Sequence, residues 1–92
     1  MENEVKRDTD KARTFFTMGM TMSEKPGFYP DAKIEYGKAI KADPDFFEAV
    51  FNFGLMCYKL GDFEEAYKSF LRCKELSPGD PSTRYMLDML EP

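Results

Sequence analysis

Side chains that could do chemistry are scarce and scattered in this sequence. There is no histidine among the 92 residues, so the commonest general base and the commonest metal ligand are both missing. Cys57 and Cys73 are too few for a zinc site, and one pair is no disulfide framework. A redox pair would need exposed thiols of lowered pKa. Both cysteines instead fall on the apolar faces of two helices, where buried, inert thiols are expected. Met18, Met20 and Met22 offer soft thioethers. On a helix, however, alternate residues diverge, so Met18 and Met22 are expected to point inward and Met20 outward, and no copper site forms. The paired acids Glu64-Glu65 and the Asp43/Asp45 pair fall at helix starts, where the helix dipole favours negative charge. No catalytic, cofactor-binding or metal-ligating constellation emerges, and the expectation is a protein that is not an enzyme and needs no cofactor.

Composition narrows the partners. The net charge is −4, and the lysine and arginine residues form no block longer than Lys6-Arg7, so the basic stripe that nucleic acid requires is absent. No apolar run approaches the roughly 18 residues of a membrane span, and no helix face is basic enough for a membrane surface. The start, Met1-Glu-Asn-Glu-Val-Lys-Arg, is polar and lacks a signal peptide's apolar core, which favours a cytoplasmic setting. Apolar residues make up 42% of the chain, and nine Phe and seven Met stand against no Trp. Adaptable side chains of this kind suit helix-on-helix packing.

The elements that position these residues follow from an internal repeat. Gly61, Ala66, Phe70, Cys73 and Pro78 each find a counterpart of the same identity or size class 34 residues earlier, at Gly27, Ala32, Tyr36, Ala39 and Pro44. Val50, Phe53, Gly54 and Cys57 find theirs 35 residues earlier, at Phe15, Met18, Gly19 and Met22. One residue is therefore inserted between Met22 and Gly27, near Lys25-Pro26. The apolar residues recur at helical spacing, and Gly19 and Gly54 mark places where two helices approach closely. Tyr36 and Phe70 would fill the space beside them.

This pattern resembles the tetratricopeptide repeat, a helical hairpin of 34 residues with a bulky-x-x-Leu-Gly-x-x-Tyr stretch, then Ala-x-x-x-Phe, then Pro. Val50-x-x-Phe53-Gly54-x-x-Cys57, Ala66-x-x-x-Phe70-x-x-Cys73 and Pro78 match its spacing, with Val50 for the usual Trp and Cys57 for the usual Tyr. The first copy departs further, through Phe15, Met18, Met22 and a longer turn. The resemblance implies an all-α fold, a right-handed superhelical stack of antiparallel helix hairpins. Repeat 1 would span about 11–46, repeat 2 about 47–80, and a capping helix about 81–91, within a domain 9–92 behind a flexible segment 1–8. Helices are predicted over 9–24, 30–42, 45–59, 62–76 and 81–90. Asp45, Asp62 and Asp80 serve as predicted N-caps, Asp62 forming a capping box with Glu65, and Pro30 and Pro81 sit in first turns.

The resemblance also implies a concave surface, lined by the first helix of each pair, that docks a protein or peptide. On this register the surface carries Arg13, Phe16 and Met20, then Phe51, Asn52 and Leu55 with Tyr58 at the rim, and finally Ser82, Tyr85, Met86 and Met89. Phe16, Phe51 and Tyr85 are surplus to the core positions, and surplus aromatics are what an interface needs. Some family members hold a chaperone's terminal carboxylate in a clamp of two Lys, two Asn and one Arg. Its positions here are Phe16, Met20, Asn52, Ser82 and Met86, of which Asn52 alone fits, so the clamp is not supported. The expected partner is apolar or amphipathic, and the alternative is self-association of two copies through the same face.

Overall fold

The computed structural model describes residues 7–91. Within them the chain forms α1 (Thr9–Met22), a 3₁₀ turn (Pro26–Phe28), α2 (Tyr29–Ala42), α3 (Phe47–Lys59), α4 (Phe63–Leu76) and α5 (Pro81–Leu90). Helices α1 and α2 make one antiparallel hairpin and α3 and α4 a second, while α2 also packs on α3 and α5 on α4. The extents are 44 × 30 × 19 Å. A helix with its side chains is about 10–12 Å across, so the shortest dimension holds two helix layers. The all-α stack of hairpins expected from the repeat is the fold observed. Of the segment 1–8, residues 1–6 lie outside the described residues. Arg7 pairs with Asp45, and the Asp8 amide donates to the Ala42 carbonyl at 3.0 Å.

Close approach within each hairpin explains the two helical glycines. A Cβ on Gly19 would lie 2.6 Å from Tyr36 Cε1, and one on Gly54 would lie 2.9 Å from Phe70 Cζ. Both rings are fully buried. Each aromatic therefore occupies the volume that its glycine leaves empty, and dense interiors tolerate no extra methyl there. Ala12, Ala39 and Ala49 form a further small-residue cluster that brings α1, α2 and α3 together. Val50, Cys57, Ala66, Phe70, Cys73, Met86 and Leu87 form the core between α3, α4 and α5.

The helix starts only partly follow their sequence signals. Asp8 caps α1 by accepting from the Lys11 amide at 3.0 Å, and Asp80 caps α5 by accepting from the Thr83 amide and hydroxyl at 2.8 and 2.9 Å. Asp45 does not cap α3, whose N-cap is Phe46; its carboxylate is taken by Arg7 and by Arg72 at 2.7 Å. Asp62 stands at the N-cap of α4, but its side chain makes no cap bond and the expected capping box does not form. Lys33 of α2 holds both carboxylates instead, at 3.2 Å from Asp62 and 3.0 Å from Glu65. Hydrogen bonds between two ionised groups are stronger than a neutral amide cap. Gly61 closes α3 with φ at +86°, the left-handed conformation that glycine adopts without strain.

Two methionines differ from expectation. Met18, expected inward, is 41% exposed. Its counterpart Phe53 packs across to α2, within 3.6 Å of where Gly37 would carry a Cβ, whereas no described element precedes α1 to receive Met18. Met86, expected on the concave face, is buried with Thr83 and Leu87, the residues α5 turns towards α4.

Candidate partner-binding surface

The surface is carried by α1, α3 and α5, away from the sides on which α2 and α4 pack. On α1, Arg13 and Met20 are exposed. Phe16 is half-buried, its ring 5.7 Å from Tyr36 and 5.0 Å from Phe46. On α3, Phe51 is half-buried, with its ring edge-on to Phe70 at 5.2 Å and stacked on Phe47 at 6.1 Å. Leu55 packs partly against the core from the same face. The Asn52 side-chain amide donates to the Tyr36 hydroxyl at 3.4 Å, so its donor is already engaged within the fold. Tyr58 lies edge-on to Phe63 at 5.5 Å. On α5, Tyr85 is 63% exposed and Met89 is exposed beside it.

Phe16 and Phe51 thus divide their rings between core and surface, because Phe46 and Phe47, in and just after the linker, bring extra aromatic surface to them. Between α3 and α5 a shallow cleft is lined by Phe51, Pro81, Ser82, Tyr85 and Met86. Pro81, at the start of α5 as expected, and Met86, mostly buried at its floor, complete the lining of this cleft. The signal available for Met86 was its place one residue before core Leu87, at the edge of the buried stripe. Charge is sparse along the face: Arg13 and Glu48 stand near one end, Glu24 and Lys59 near the other.

The two thiols have no part in this surface. Both are wholly buried, and burial pushes Cys57 up to about 11 and Cys73 up to about 12. A thiol held protonated at neutral pH and shielded from solvent is a poor nucleophile and a poor metal ligand. Among the described residues no three of His, Cys, Asp and Glu gather as a metal ion would require. No described helix is long and apolar enough to cross a membrane.

A family profile for the tetratricopeptide repeat matches residues 47–80, which comprise α3, the Gly61 turn, α4 and the loop that leads to α5. Among solved structures, the chain is similar to the first tetratricopeptide-repeat domain of Spaghetti (RPAP3), determined bound to the HSP90 peptide SRMEEVD. The match has a TM-score of 0.66 and 16% identity, and covers 95% of each chain. At that identity the likeness is one of fold. No curated protein matches by sequence.

Proposed function

We propose that this chain, whose residues 47–80 match the tetratricopeptide-repeat profile and whose fold is similar to a tetratricopeptide-repeat domain, works as a protein-interaction module, an adaptor in the cytoplasm that takes an apolar or amphipathic helical segment on the face of α1, α3 and α5. The observation that carries this reading is the row of exposed or half-exposed apolar side chains, Met20, Leu55, Phe51, Tyr85 and Met89, beside the cleft between α3 and α5. An amphipathic helix would lay its own apolar stripe along that row, with Arg13 and Tyr58 at the margins and Tyr85 as the anchor nearest the cleft.

The Spaghetti domain holds an acidic peptide. In this chain the positions where the family resemblance would put a carboxylate clamp carry Phe16, Met20, Asn52, Ser82 and Met86, with no cation among them and with the Asn52 amide turned to Tyr36. The proposed ligand is therefore apolar, and SRMEEVD serves as the contrast. Calorimetric titration should show binding of an amphipathic helical peptide that Tyr85→Asp weakens at least about tenfold, the scale of a lost interface anchor, and no heat with SRMEEVD. Tight binding of SRMEEVD would overturn the apolar reading. Self-association through the same face is separated by light scattering across a hundredfold concentration range: a dimer that Tyr85→Asp dissociates would assign the face to a second copy.

A further inference from the structure

A second apolar surface lies at the edge where the two hairpin turns meet. Phe28 is 50% exposed in the first turn, and Phe63 is 54% exposed just after the second, with Leu60 exposed beside it. The turns are neighbours: Lys59 Nζ, at the end of α3, sits 5.5 Å from the centroid of the Tyr29 ring, and Lys33 of α2 reaches Asp62 and Glu65 at the start of α4. Tyr58 packs edge-on to Phe63 and extends the patch.

Local rules do not account for these aromatics. Phe28 occupies the N-cap of α2, where Ser, Thr, Asp or Asn would satisfy an orphan amide, and it makes no side-chain cap bond. Its repeat counterpart is Asp62, which holds Lys33. Phe63 opens α4 with its ring more than half in water. Phe28, which breaks the N-cap preference and stays half in water, marks a site with another use, and the exposed part of Phe63 extends it.

The border of this patch carries more acid than base, with Lys25 and Lys59 as its cations beside Lys33. Asp31 stands in the first turn of α2, and Asp62, Glu64 and Glu65 stand at the start of α4. Lys33 is spent on Asp62 and Glu65, while Asp31 and Glu64 make no ion pair among the described residues. Elsewhere the molecule already seats ammonium groups on rings: Lys33 over Phe53 at 5.8 Å, Lys38 over Phe15 at 5.6 Å and Lys59 over Tyr29. Among the described residues, Phe28 and Phe63 carry no such cation. We propose that this edge docks a basic segment of a partner protein, whose Arg or Lys side chains lie over Phe63 and Phe28 and pair with Glu64 and Asp31, while its apolar residues cover Leu60. Exposed rings and adjacent carboxylates recognise the same cation by two complementary attractions. The surface is separate from the face of α1, α3 and α5, and the proposal does not depend on that face's function.

The probe is the peptide acetyl-Arg-Leu-Arg-Arg-Leu-Arg-amide, titrated into the isotope-labelled 92-residue chain and followed by amide chemical shifts. Shifts should concentrate at Gly27–Asp31 and Gly61–Glu65, and affinity should fall several-fold between about 50 and 300 mM salt, as screening requires. Phe28→Ser with Phe63→Ser should weaken binding about tenfold, with unchanged helical circular dichroism, and Tyr85→Asp should leave it intact. The paired reversal Asp31→Lys with Glu64→Lys keeps the rings; it should abolish binding of the basic peptide and admit the Glu-for-Arg version. Shifts spread over all acidic surfaces, shifts centred on Met20, Leu55 and Met89, or full binding by the charge-reversed chain would each overturn the proposal.

Discussion

The two hairpins are built on one template and differ in what surrounds them. Helices α3 and α4 lie between α2 on one side and α5 on the other, whereas α1 has no described element on its outer flank. Equivalent positions report the contrast. Val50 and Phe53 face neighbouring helices, Val50 fully buried, while their counterparts Phe15 and Met18 are half-buried and exposed. Phe15 is sheltered in part by Lys38, whose ammonium sits 5.6 Å from the ring centroid. The interior of each hairpin is nonetheless the same: Gly19 against Tyr36 in one, Gly54 against Phe70 in the other. The repeat thus fixes how two helices of a pair meet, while burial of the remaining positions depends on what stacks outside. The family profile matches the flanked hairpin, 47–80, and the open one departs further from the pattern.

The largest expected effect lies in the shared interior. Phe70→Ala, at a wholly buried ring, should lower stability by about 3–5 kcal/mol in urea titration. A loss below about 1 kcal/mol would mean that α3 and α4 can close the gap.

Next come the glycines. Gly54→Ala and Gly19→Ala should each cost about 1–3 kcal/mol from overpacking, despite alanine's better helix propensity of about 1 kcal/mol. The Tyr36 hydroxyl lies 3.5 Å from Ser23 Oγ and accepts from Asn52, so its ring is less free to tilt than that of Phe70. Gly19→Ala should therefore be the more costly of the two, and the reverse order would show that the open hairpin yields more readily.

A smaller, pH-dependent difference separates the hairpins. Cys57 and Cys73 lie in the second, where the first has Met22 and Ala39. Unfolded thiols ionise near 9.0, but the folded ones hold their protons to about 11 and about 12. Between those limits the unfolded chain binds fewer protons than the native one, so stability falls as pH rises. Below about pH 8 the thiols are protonated in both states, and their full contribution is present. Hydrogen exchange under alkaline conditions should loosen α3 and α4 before α1 and α2, and Cys73→Ala should make the alkaline decline shallower. The smallest effect belongs to the open flank: Met18→Ser should change stability by less than about 0.5 kcal/mol, while Phe53→Ser at the matching position should exceed it severalfold.

The 34-residue spacing located both glycine–aromatic contacts and the buried thiols, and the cap, proline and periodicity signals placed the five helices to within two residues at every boundary. Caps were legible where a residue acts on its own helix, as at Asp80. They were illegible at Asp45 and Asp62, because the cations that claim those carboxylates, Arg7, Arg72 and Lys33, come from other elements. Met18 and Met86 failed for a related reason: periodicity names a helix face, but the neighbour on that face decides burial. At the candidate surface, exposed Met20, Tyr85 and Met89 could be read from register. The partial withdrawal of Phe16 and Phe51 required knowing where Phe46 and Phe47 place their rings.

Each helix packs chiefly on the helix next to it in sequence. That pattern carries a consequence for time. A core assembled from adjacent hairpins closes short loops and never waits for distant strands to meet, so little chain entropy is lost before contacts form. Such a chain should fold within roughly microseconds to milliseconds.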